Sequence, residues 1–254
     1  MNLLKITFLA LLCFSVHVCA QETHVIEPSH LEVLYKVSVP KSNSKFALRC
    51  GKNVCQYISL YRLRNDSLVT SPDPILRELS FKEWDEQLES NDPDKRTSLA
   101  PDRGDFLYRN LSNGKISVYT RVFGSSYLIE EDFPVIDWMV CEDSTMQVLG
   151  YDCHKATAKF RGRTWTVWYS EDIPLSIGPW KLGGLPGLIL KAKCDDYVTI
   201  TALSARTTKL SPVTFYNFYE EKYQKIDRVK YLKIRKDPTI YPAGTKLIPQ
   251  MELE

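Results

Sequence analysis

Polar and apolar residues alternate along most of this chain. In "LEVLYKVSVP" (31–40), Tyr35, Val37 and Val39 fall on one face and Lys36 and Ser38 on the other, the period-two pattern of a half-buried strand. "KFALRC" (45–50) and "CQYISLYR" (55–62) predict the next two strands. In "DFLYRNLSNGKISVYTRVFG" (105–124), Asn113-Gly114 separates two alternating runs, a strong hairpin signal. A second hairpin runs from "PVIDWMV" (134–140) through "CEDST" into "MQVLGYDCHKATAKF" (146–160), and "RGR" (161–163) turns the chain into "TWTVWYS" (164–170). "LILKAKC" (188–194) and "YVTITALSA" (197–205) follow, joined at Asp195-Asp196. The chain reads as an antiparallel meander.

Two stretches change period. After "SPDP" (71–74), Ser80 and Glu83 form a capping box, and Phe81, Trp84 and Leu88 stripe one side of a helix of about ten residues that is predicted to lie against the sheet. Phe215, Phe218, Tyr219, Tyr223, Ile226 and Val229 are spaced close to a second helical stripe, predicting a helix near 212–225, with "RVKYLKI" (228–234) open to either helix or strand. Trp165, Val167 and Tyr169 share one strand face and Trp168 takes the other, so the sheet carries large apolar groups on both faces, one packed on helices and the other wrapped or partner-bound. The expected fold is mainly β: one curved antiparallel meander of roughly eight to eleven strands with one or two covering helices.

Met1 to Ala20 hold one lysine, an apolar run from Ile6 to Val18 and a small-residue ending before Gln21, the features of a signal peptide cleaved after Ala20. Cys19 offers lipid anchoring as an alternative, although His17 and Val18 stand where small residues are wanted. No other stretch approaches the roughly 18 apolar residues of a membrane helix. The expectation is an exported protein, in the periplasm or outer envelope, soluble after cleavage. Residues 21–254 contain no Pro/Gly/Ser linker and read as a single β-rich domain. Losing one lysine with the leader leaves 32 basic against 31 acidic side chains, which offers no footprint for nucleic acid.

Five cysteines follow the leader: Cys50, Cys55, Cys141, Cys153 and Cys194. An odd number leaves at least one thiol free or paired between chains. Cys50 and Cys55 flank "GKNV" between two alternating segments, so a tight hairpin sets them opposite one another at disulfide range. Cys153 is expected opposite Ser170 and Cys194 near Thr164, about 20 Å apart along the strand direction, so a bridge between them is not expected. Cys153-His154 resembles a nucleophile and base in sequence only, because neighbours on a strand point to opposite faces. Those two residues without a third make no zinc site, and neither metal nor cofactor is expected. Glu171-Asp172 and Asp195-Asp196 read as solvated turns before they read as acid-base pairs. No G-x-S-x-G elbow or H-E-x-x-H helix is present.

"GPWKLGGLPGLIL" (178–190) is neither a Walker loop, since no Lys-Ser/Thr follows its glycines, nor a dinucleotide fingerprint. Its residues fit better a sharp bend into a buried strand: prolines fix φ, and glycines permit positive φ and close backbone approach. The other reading is a binding rim, with Trp180, Leu182 and Leu185 held at the mouth of the sheet and Trp165 and Tyr169 behind them as candidate ligand contacts.

Trp138, Gly150-Tyr151-x-Cys153-x-Lys155-Ala156, Phe160-Arg161-Gly162-Arg163 and Gly178-Pro179-Trp180, ending in Gly184-Leu185-Pro186-Gly187-Leu188-Ile189, occur in the order that defines the GLPGLI family of exported Bacteroidetes proteins. The chain resembles that family over roughly 105–210. The resemblance brings no catalytic residue with it, and Cys50, Cys55 and the tail from Lys236 to Glu254 lie outside it. The hairpin order is also similar to periplasmic lipoprotein carriers, whose half-barrel encloses a hydrophobic cavity. This likeness of architecture implies a non-enzymatic module carrying a hydrophobic or extended ligand. The alternatives are an accessory protein docking on an outer-membrane protein and an envelope enzyme whose site assembles from distant residues.

Overall fold

A computed structural model describes residues 22–97, 104–195, 197–242 and 250–254; the predicted leader (1–20) and Asp196 lie outside these. The fold is mainly β, with fourteen strands and three α-helices among the described residues. One strand group runs forward through β2 (Leu31–Val39), β3 (Ser42–Cys50), β4 (Val54–Ser59), β5 (Phe106–Asn110), β6 (Lys115–Val122) and β7 (Ser125–Asp132). A second comprises β8 (Met139–Val148), β9 (Tyr151–Phe160), β10 (Arg163–Ser170), β11 (Leu188–Cys194) and β12 (Val198–Arg206). Pairing of β12 with β2 joins the two meanders into one open antiparallel sheet with β8 at one edge; β14 (Gln224–Ile226) adds in parallel to β7 at the other. β1 (Glu22–Glu27) pairs with β13 (Val213–Asn217) in a separate ribbon.

Residues of both meanders share one core cluster, which contains Tyr35, Leu48, Ile116, Trp165, Leu188 and Ile200. A cross-link between the halves is the Tyr35 hydroxyl, which donates to the Ile189 carbonyl at 2.8 Å. A second cluster, Ala47, Ile58, Phe106, Tyr108 and Phe218, occupies the other face of β3–β5. Alternate residues of these strands therefore enter different cores, which explains the nearly continuous burial of Phe46–Cys50 and matches a sheet covered on both faces.

The helices depart from expectation in three places. "CQYISLYR" is strand only to Ser59, whose hydroxyl accepts from the Arg62 amide and starts α1 (Leu60–Val69), because a capping serine satisfies an orphan helix donor. α2 runs from Pro74 to Glu89, capped by Asp73, so Ser80 is not a cap but a buried mid-helix residue. α2 packs chiefly on α1, and Ile75, Phe81 and Leu88 are 72%, 65% and 51% exposed. The segment predicted as helix near 212–225 forms β13 and β14, while "RVKYLKI" is helical, in α3 (Arg228–Lys236). Aromatic residues favour strands when a partner is present, and here the partner β1 comes from the other end of the chain. Asp227 caps α3, accepting from the Val229 and Lys230 amides at 2.8 and 3.1 Å. No helix among the described residues is long and apolar enough to cross a membrane.

Candidate functional site

The connection from β10 to β11 enters the core. Its Ile177 bridges Gly183, Leu188 donates to the Ile173 carbonyl at 3.0 Å and Ile189 to the Ile177 carbonyl at 3.0 Å. Such pairing is what allows a non-repetitive backbone to be buried. Gly187 is required by close approach: a Cβ there would stand 2.0 Å from the Ser170 carbonyl oxygen. Gly184 has φ +86°, in the region glycine enters without strain.

All five candidate ligand contacts are interior. Trp180, Leu182, Leu185, Trp165 and Tyr169 are at most 3% exposed. Trp180 stacks on Trp165 with centroids 5.5 Å apart and meets the edge of Phe160 at 5.8 Å. These side chains therefore anchor the turn in the core and do not form a rim, because all five are buried there.

The polar residue that holds the turn is Arg109 of β5. Its Nη2 donates to the carbonyls of Trp180 and Leu182, the latter at 2.7 Å, and Trp138 Nε1 donates to the Gly183 carbonyl at 2.8 Å. Arg109 is 4% exposed, has no carboxylate partner among the described residues, and its Nε lacks an acceptor. Burial pulls its pKa down to about 10, opposed by the nearby Cys55, Cys50 and Tyr35, so it remains a cation at neutral pH. Beside it lies a cavity of about 300 Å³ whose walls include Ile116, Phe133, Leu175, Lys181 and Gly184. The sequence carried one sign of this residue: Arg109 follows Leu107 by two, so it is a charge at an inward-facing strand position.

Lys181, in the same turn, is compensated. Its Nζ pairs with Glu131 at 2.5 Å and Glu252 at 2.9 Å; Arg161 also pairs with Glu131, and Arg228 with Glu252, both at 2.5 Å. Burial works to raise the Glu252 pKa, but Lys181, Arg161 and Arg228 outweigh it and hold the carboxyl below its usual value. The cluster ties the last residues of the chain, with buried Met251, to the glycine-rich turn.

Cys50 and Cys55 stand directly opposite. Gly51 donates to the Val54 carbonyl at 2.9 Å, so the cysteines occupy the adjacent non-hydrogen-bonded pair, where side chains come closest. Both are free thiols, as are Cys141, Cys153 and Cys194; hydrogen bonding to Cys55 and then burial push the Cys50 thiol up. Cys194 is opposite Trp165, while Cys153 precedes His154, which is opposite Tyr169, so the two thiols lie toward opposite ends of β10. The Cys153 thiol donates to the Tyr151 carbonyl at 3.5 Å and the His154 ring faces Tyr169 at 5.9 Å; they do not form a pair. No cluster of three or more metal-ligating side chains occurs among the described residues.

A family model described as the N-terminal domain of N-glycanase peptide matches residues 112–233. Two solved structures of PNGF-II, in C2 and P21 space groups, are similar at TM-score 0.52 with 15% and 14% identity, covering 80% and 81% of this chain. At that identity the likeness concerns the fold. The chain spans about a third of their length, 32% and 33%. No curated protein matches.

Proposed function

We propose that this protein is an exported, non-enzymatic binding module of the GLPGLI type, and that its ligand occupies the cavity beside the glycine-rich turn. The observation that carries the reading is the joint placement of that cavity, the turn and the uncompensated Arg109. Concave, mostly apolar sites with a few placed polar groups are where small ligands bind, and about 300 Å³ is at the lower end of their range. The test is native mass spectrometry of the mature protein from a bacterial periplasm, followed by the same sample denatured. Excess mass lost on denaturation is the expected result; a protein that is empty under conditions preserving known complexes overturns the reading.

The exposed stripe Phe81, Trp84 and Leu88 on α2 favours a second reading, an accessory protein docking on an outer-membrane protein. The likeness to one part of the longer PNGF-II chain is consistent with a domain that works alongside others. In-cell crosslinking from position 81 is expected to capture an envelope protein if this holds, and recovery of uncrosslinked protein alone counts against it.

A further inference from the structure

Six charged side chains are buried among the described residues: Glu32, Arg49, Asp66, Arg109, Lys181 and Glu252. Glu32 pairs with Arg49 at 2.9 Å, Asp66 with Arg62, and Lys181 with Glu252 at 2.9 Å. Arg109 alone has no opposite charge, and Nε has no acceptor. Withdrawing a charge from water costs several kcal/mol unless it is paired, and the two carbonyls on Nη2 supply dipoles without supplying an anion. Arg109 also lines a cavity that is otherwise walled largely by apolar groups, among them Leu111, Ile116, Phe133, Pro134 and Leu175. Glycine keeps the backbone close at this point: a Cβ on Gly183 would stand 3.2 Å from Arg109 Nη1 and 2.9 Å from the Ser176 carbonyl oxygen.

We infer that this cavity receives a small monocarboxylate with an apolar body, its carboxylate paired with Arg109 and its body against Ile116, Phe133 and Leu175. The inference rests on the binding-module reading and names the ligand class for it. A guanidinium fork matches a carboxylate, and charge-assisted hydrogen bonds are the strongest polar contacts available. One carboxylate is expected on the ligand, because the second cation at the cavity, Lys181, already holds two carboxylates of its own, Glu131 and Glu252. At roughly 30 Å³ per water-sized group, the volume suits about ten non-hydrogen atoms, the size of octanoate.

Titration calorimetry of the mature protein at pH 7.5 with sodium octanoate, 1-octanol and octylamine tests the inference. Octanoate is expected to bind one to one, at least about tenfold tighter than 1-octanol, with no detectable octylamine binding. Leu175→Trp, which fills the cavity from a partly exposed wall position, is expected to abolish binding of octanoate and octanol alike. Arg109→Gln is expected to reduce octanoate to the level of octanol; because Arg109 also holds the turn, the comparison of the three ligands on the unaltered protein stands if that variant does not fold. Equal affinity for octanoate and octanol overturns the carboxylate class and leaves a ligand-binding cavity. No binding of any of the three overturns the class, and only an empty protein in native mass spectrometry then removes the binding-module reading as well.

Discussion

The glycine-rich turn, Gly178 to Leu190, and helix α2, Pro74 to Glu89, both present large apolar side chains, yet they end in opposite environments. Trp180, Leu182 and Leu185 of the turn are within the core, whereas Ile75, Phe81 and Leu88 of the helix face outward. The difference lies in what each backbone can offer a neighbour. Glycines let the turn approach within contact of Ser170 and close on its own Ile189, and Arg109 and Trp138 bind its carbonyls, so most of the segment can leave water. The helix satisfies its own backbone and meets α1 through a different side, the one carrying buried Ser80 and the Arg64–Glu83 pair at 2.5 Å. An apolar stripe proposes a face for burial; a neighbour able to approach decides whether it is buried.

This contrast is sharpest in the response to truncation. Trp180→Ala is expected to cost about 3–5 kcal/mol by removing a fully packed indole, against less than about 0.5 kcal/mol for Phe81→Ala on the exposed stripe, both read from denaturant midpoints at constant slope. Equal losses would mean that α2 is covered in solution. Gly187→Ala is expected to destabilise by about 3 kcal/mol, since the methyl would meet fixed backbone. Gly114→Ala, with open space around it but φ +67°, is expected to cost about 1–2 kcal/mol, and similar values for the two would break the close-approach account of the turn.

Glu252→Gln is expected to cost about 2 kcal/mol near neutral pH by leaving Lys181 and Arg228 undercompensated. Its carboxyl has a lowered pKa in the folded protein, so its stabilisation is present above the unfolded value of about 4.3 and is lost as pH falls through the folded value. The gap between variant and parent should therefore close on acidification, and a gap that persists in acid would remove the ion cluster as its cause. The smallest effect is in the thiols. Burial raises Cys153 to about 11 and Cys194 to about 12, so alkylation of the native protein at neutral pH is expected first at the partly exposed Cys141. In an oxidising compartment, Cys50 and Cys55 are expected to join in a disulfide, seen as a loss of about 2 Da in intact mass. Labelling of Cys50 and Cys55 in oxidised protein while Cys141 stays protected would contradict both statements.

Most strands of the two meanders and the turn at Asn113-Gly114 were legible in the sequence, because period-two alternation acts over a few residues; β1, β7, β13 and β14 were not, and the second hairpin turns at Leu149-Gly150 while "CEDST" continues β8. The register that opposes Cys50 to Cys55 was legible for the same reason: a short hairpin permits few pairings. The candidate site was not. Arg109 and the turn it holds are separated by some seventy positions, and nothing local to either marks their meeting beyond a charge at an inward position. The tail beginning at Lys236, outside the motif-bearing segment, supplies Glu252 and Met251 to the same region of the core.

The sequence by itself determined the mainly β character, the meander and the bend at Gly184–Gly187, all properties of backbone preference and side-chain period over short spans. Only the tertiary structure decided that β12 joins β2, that the aromatic run after Pro212 becomes strand against β1, that α2 keeps its apolar stripe outward, and that Arg109, beside a cavity, has no counter-charge among the described residues. Each of these depends on a partner distant in the chain, and pairing energies of that kind have no local signature.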